Sequence, residues 1–71
     1  MQYRGYQERI QTIIGGADVD PRHIEAYMRL KYGVLDHLGP AEFREEVHVG
    51  IACVLVGGRE EAEWLAQSYG L

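Results

Sequence analysis

The chain has a single cysteine, Cys53. No intramolecular disulfide can form, and a cysteine-based zinc site is excluded with it. A long apolar run is also missing. The longest, residues 51–56, falls far short of the ~20 residues that span a bilayer. Basic residues are scarce in the second half. Residues 1–39 carry five acids and five bases, and residues 40–71 carry six acids and two bases. The net charge of −4 therefore lies in the C-terminal half, which disfavours binding DNA or RNA by phosphate neutralisation. No repeat, low-complexity tract or long linker interrupts the chain. The opening, MQYRGYQERIQ, is charged throughout and unlike a secretory signal. With one free thiol as well, the expected location is the cytoplasm, with neither membrane nor nucleic acid as partner.

What is present is a small core. The 71 residues make one domain, 1–71, and 46% of them are hydrophobic, which excludes disorder. A chain of this size sits near the limit for an independent core, and natural domains of that size often add a disulfide, a metal or a partner subunit. Association with another chain is the supplement this composition leaves open.

Glycines at 15–16, 33, 39, 57–58 and 70 divide the sequence into segments. In 3–14, Tyr3, Tyr6, Ile10, Ile13 and Ile14 share a ~100° arc at helical spacing, with Arg4 and Glu8 paired opposite. Residues 20–32 open on Asp20 as N-cap and Pro21 at the first helical position. Ile24, Tyr27, Met28 and Tyr32 form one apolar arc there, and Ala26, Leu30 and His23 a second. A helix apolar on both sides is central. Its one clean polar stripe is Arg22, Glu25 and Arg29, expected to be free for solvent or a partner. Gly33 ends it, and Val34, Leu35 and Leu38 read as a covering turn of helix or 3₁₀.

Residues 40–56 put Phe43, Val47, Gly50, Ile51 and Val54 on one face, where Gly50 permits close approach of another helix. From Val49 onward the opposite face, with Ala52, Leu55 and Val56, is apolar too, so this half is expected to be buried all round. The β-branched run 47–56 could also be a strand, but its spacing with Phe43 and its helical surroundings favour helix. In 59–69, Ala62, Leu65, Ala66 and Tyr69 face inward, the acids Glu60, Glu61 and Glu63 suit the helix start, and Trp64 and Leu71 point away. The expected fold is all-α: a compact bundle of four or five short helices joined by glycine-rich turns.

No catalytic, cofactor-binding or metal site emerges. Glu45-x-x-His48 has the spacing of a di-iron ligand pair, but it occurs once. Asp36-His37 lacks a nucleophile or a supporting constellation. His23 reads as a helix-start histidine bonded to Asp20 or a carbonyl, and Cys53 as a small buried hydrophobe. IIGGADVD has no P-loop lysine. The seven residues between the second and third segments are too many for a helix-turn-helix, and Glu42, Glu45 and Glu46 would repel phosphates.

The run DPRHIEAYMRLKYGVLDHL, followed by FREEV and ending in Ser68-Tyr69-Gly70-Leu71, resembles a group of short bacterial and phage- or plasmid-associated proteins. They share a D-P-R-x-I-E-A-Y-M-R-L-x-Y-G-x-L-D-x-L core. The resemblance covers about two-thirds of the chain and implies no activity.

The functional expectation is a non-enzymatic interaction protein that forms a homodimer. Trp64, Leu71, Val49, Ala52, Leu55 and Val56 are the expected interface, because tryptophan and all-round apolar surface favour association. Arg22, Glu25, Arg29, Glu60, Glu61 and Glu63 are the expected polar partner surface. The alternative is an acidic inhibitor protein of a mobile element, which blocks a partner's basic nucleic-acid-binding surface.

Overall fold

The structure, a computed structural model, describes residues 3–71, with side chains from residue 5 onward. The side chains of Tyr3 on the first apolar stripe and of Arg4 in the Arg4–Glu8 pair lie outside the described ones. Four helical stretches run in order: α1 (Tyr3–Ile14), α2 (Pro21–Tyr32), α3 (Pro40–Cys53) and α4 (Arg59–Ser68). Among the described residues there is no strand, so the β-branched run 47–56 is helical and turn structure.

Local chemistry sets the boundaries. The Asp20 carboxylate accepts the Arg22 backbone N–H at 2.9 Å and Pro21 opens α2. Both devices supply what a helix start lacks: an acceptor for an orphan donor, and a residue without one. Gly33, at φ 78°, closes α2 by donating its N–H to the Arg29 carbonyl at 2.7 Å. Glu42 reaches back to the Gly39 N–H at 3.3 Å and caps α3. Residues 34–38 are expected as a covering turn of helix or 3₁₀. They make a turn, closed by the Leu38 N–H on the Leu35 carbonyl at 3.2 Å, that buries Leu35 and Leu38 but leaves Val34 exposed.

The junction of α3 and α4 departs most from the expected pattern. Gly57-Gly58 does not separate two helices by a loop. A wider, π-type turn over Val54–Gly58 carries the backbone from one helix into the next, with the bend at Val56 and at Gly57, whose φ is 113°. Only glycine reaches that φ without strain. The bundle is thus three long elements, the third bent. Gly58 is tightly enclosed: a Cβ there would collide with the Tyr27 hydroxyl and the Cys53 carbonyl. Tyr27 donates its hydroxyl to the Gly58 carbonyl at 3.0 Å and so ties α2 to the bend.

As expected, α2 is central, packing against α1, α3 and α4. Ile10, Ile14, Ile24, Met28, Leu35, Leu38, Phe43, Val47, Val54 and Ala62 form the main core. Ala26, Leu65 and Ala66 form a second, smaller cluster between α2 and α4. Gly50 lets α3 approach α2: a Cβ there would sit 3.2 Å from Ile24 Cγ2. The chain is tightly folded, with a radius of gyration of 10.8 Å.

Four faces are not as the pattern implies. Residues 49–56 are not buried all round: Val49, Ala52, Cys53, Leu55 and Val56 are exposed, because α2 and α1 cover only the Phe43–Val47–Val54 side. Leu30 is 58% exposed, at the edge of a groove between α2 and α3. Tyr69 is exposed rather than inward, because α4 ends at Ser68 and the chain turns at Gly70. Leu71, expected to point away, packs half-buried against the Ala26, Leu65 and Ala66 cluster.

Candidate interaction surface

The polar stripe of α2 is not a free surface. Glu25 is 0% exposed. Its Oε2 accepts from Arg29 Nε at 3.0 Å and Nη2 at 2.9 Å, one turn along the helix. The Arg29 guanidinium also lies 5.8 Å from the centre of the Tyr6 ring of α1, within cation–π range. Seen from α2 alone these positions look solvated. Once α1 lies across them, the pair is folded into the α1–α2 contact. The second oxygen of Glu25 has no hydrogen-bond partner.

Arg22 is equally engaged. Its Nε donates to Asp20 Oδ2 at 3.1 Å, Nη2 to Glu63 Oε1 at 2.8 Å and Nη1 to the Leu71 carbonyl at 3.2 Å. The same Glu63 oxygen lies 2.7 Å from His23 Nε2. His23 thus bonds across to α4, not to Asp20 or a backbone carbonyl, and its buried Nδ1 has no partner. Gln67 Nε2 reaches the other Glu63 oxygen at 3.0 Å. His23, Gln67 and Arg22 together lower the Glu63 carboxyl to about 2, because each bond favours the charged form. This network is a clasp between α2 and α4. The clasp engages Arg22 and Glu63 within the fold, as the α1–α2 contact engages Glu25 and Arg29, and Glu60 and Glu61 stay exposed.

The apolar surface is more extensive than the core needs. Trp64 is 66% exposed on α4, where Glu60 and Glu61 precede it by four and three residues on the same side. On α3, Val49, Ala52 and Cys53 recur at the 3–4 spacing of one helix face, and Val56 follows at the bend, all exposed. Val56 is 86% exposed. Beside this stripe a groove of about 200 Å³ runs between α2 and α3, lined mainly by Met28 and Leu30 on one side and by Val49, Gly50 and Cys53 on the other. Its rim carries the Lys31–Glu46 ion pair at 3.0 Å, with the Lys31 ammonium 5.4 Å from the centre of the Tyr32 ring. Bonds from Tyr32 and Lys31 push the Glu46 carboxyl below its ordinary value, and Glu46 raises Lys31.

Of the expected interface, then, Val49, Ala52, Leu55, Val56 and Trp64 are at the surface, with Val49 and Ala52 on α3, Leu55 and Val56 at its bend and Trp64 on α4. Sequence pattern missed Leu30, which joins the stripe across the groove. The signal was its place in the arc of His23, Ala26 and Leu30, read there as packed against a neighbour. It also placed Cys53 inside, whereas the thiol is exposed at the groove edge.

The remaining candidate groups do not assemble. Glu45, His48, Asp36 and His37 are exposed. Among the described residues no three of His, Cys, Asp and Glu converge in a metal-binding geometry. None of the described helices is long and apolar enough to cross a membrane. No family model matches the chain, and neither does any curated protein or solved structure.

Proposed function

We propose that this chain is a non-enzymatic, cytoplasmic protein–protein interaction module that self-associates through α3. One observation carries the reading: Val49, Ala52, Cys53 and Val56 form an exposed apolar face beside a groove floored by Met28 and Leu30. An apolar helix face open to water is costly in a chain this small, where little hydrophobic burial is in reserve. A second copy of the same face is the simplest cover, because two-fold dimers bring one patch against itself. Sedimentation equilibrium tests it. The expected species at high micromolar concentration is twice the 8.1 kDa protomer. Val56→Glu, at a position outside the core, should return it to monomer with helicity unchanged. A wild-type monomer at that concentration overturns the reading.

A second reading rests on α4, where exposed Trp64 is flanked by Glu60 and Glu61. A tryptophan anchor inside an acidic rim suits a partner with a basic surface, as in an inhibitor protein of a mobile element. Glu63 is excluded from that rim because Arg22 and His23 already hold it. Capture of a partner should therefore fall in Glu60→Gln/Glu61→Gln and in Trp64→Ala. Capture unchanged in both variants removes the charge-mimic idea.

A further inference from the structure

The exposed stripe and the groove are offset along the same helix, and that offset fixes how two copies meet. We infer that α3 pairs antiparallel with α3 of a second copy, placing Val56 of each over the groove of the other. The inference rests on the self-association reading.

Three observations set the orientation. First, the stripe continues towards the helix start through Glu42, Glu45 and Glu46, which precede Val49 by seven, four and three residues. Parallel pairing in register would put each of these acids against its own copy, which is repulsive. Antiparallel pairing about Ala52 and Cys53 separates the two copies of Glu46 by ~20 Å along the axis, and it opposes the helix dipoles favourably.

Second, the apolar part of the stripe is short and ends at the bend. Val56 is its last residue, and Gly57 turns the chain away. With Ala52 facing Cys53 of the other copy, Val56 faces Val49. Val49 lines the groove, together with Gly50, Cys53 and Leu30.

Third, the groove's size suits a side chain. At about 200 Å³ it is smaller than the ~300–1,000 Å³ usual for a small-molecule site. Val56, at 86% exposed, is the most exposed large hydrophobic residue described. A two-fold pairing satisfies both needs twice, filling two grooves and covering two valines.

Cysteine cross-linking reads the register directly. In a Cys53→Ala background, first shown to be dimeric by sedimentation, chains carrying Val49→Cys and Val56→Cys are mixed and mildly oxidised with copper–phenanthroline. The expected product is a disulfide between the two different chains. Neither chain alone should cross-link to itself, because like positions lie seven residues, ~10.5 Å, apart along the axis, beyond the ~4.4–6.8 Å between Cα atoms that a disulfide allows. The unmodified protein should cross-link through Cys53, whose two copies are offset by a single residue. Self-linking of Val49→Cys in an intact dimer shows parallel pairing and overturns the inference alone. An intact dimer with no cross-link in any combination places the seam elsewhere and likewise overturns it. A monomeric wild type removes the inference together with the reading beneath it.

Discussion

At Glu63 one carboxylate joins two helices. Its carboxyl is lowered to about 2 by bonds from His23, Gln67 and Arg22. A carboxyl depressed on folding adds stability above its ordinary value near 4.5 and loses it as pH falls towards 2. Wild type should therefore lose urea resistance between about pH 4.5 and 2 more steeply than Glu63→Gln. Parallel curves across that window would show that the clasp contributes nothing. Glu25 gives a different case, since it is fully buried and, among the described residues, pairs with Arg29. Arg29→Ala strands a charge in the core and should cost ~3–5 kcal/mol. Glu25→Leu combined with Arg29→Met removes the charge with its partner and should recover most of that loss in urea titrations. The unpartnered Glu25 oxygen makes this recovery the sharper expectation.

Among the elements, the bend carries the most specific constraint. Gly58 is enclosed by the Tyr27 hydroxyl and by the Cys53 carbonyl, and a backbone carbonyl cannot swing aside as a side-chain tip can. Gly58→Ala should lower stability by ~1–3 kcal/mol, the range for overpacked sites, measured by thermal or urea unfolding. A neutral effect would mean that the turn opens freely. The element boundaries were legible in the sequence where capping chemistry sets them: Asp20 and Pro21 start α2 and Gly33 stops it, all by local rules. The bend was not. A glycine pair reads as a break from local propensity alone, and only packing against Tyr27 shows that the backbone keeps turning. Glu25 was misread for a related reason. Its polarity marked it for solvent, and nothing local in α2 reveals that α1 crosses above it.

For the molecule as a whole, the two proposed surfaces obey different physics. An α3 seam of valine, alanine and leucine buries apolar area and should change little between 50 and 500 mM salt. A contact through Glu60 and Glu61 with a basic partner is exposed and should weaken over that range, because the Debye length shrinks towards a few ångström. Measuring association across that series separates them. Strong salt weakening of the self-association would count against the apolar seam. The all-α class and the central place of α2 followed from periodicity. Which apolar residues stay outside did not. Helical spacing shows that residues 49–56 are apolar on several sides, and it is silent on whether this chain or another one covers them.

The turn at Val54–Gly58 also sets an angular phase. Val54 at its start and Ala62, Leu65 and Ala66 after it all reach buried positions, so the turn is a phase adjuster between two helices that share one backbone. Removing one residue from such a joint does more than shorten it. It rotates everything downstream about the helix axis. Deleting Gly58 would swing the Ala62–Leu65–Ala66 face from the core towards water and carry Glu63 away from Arg22 and His23.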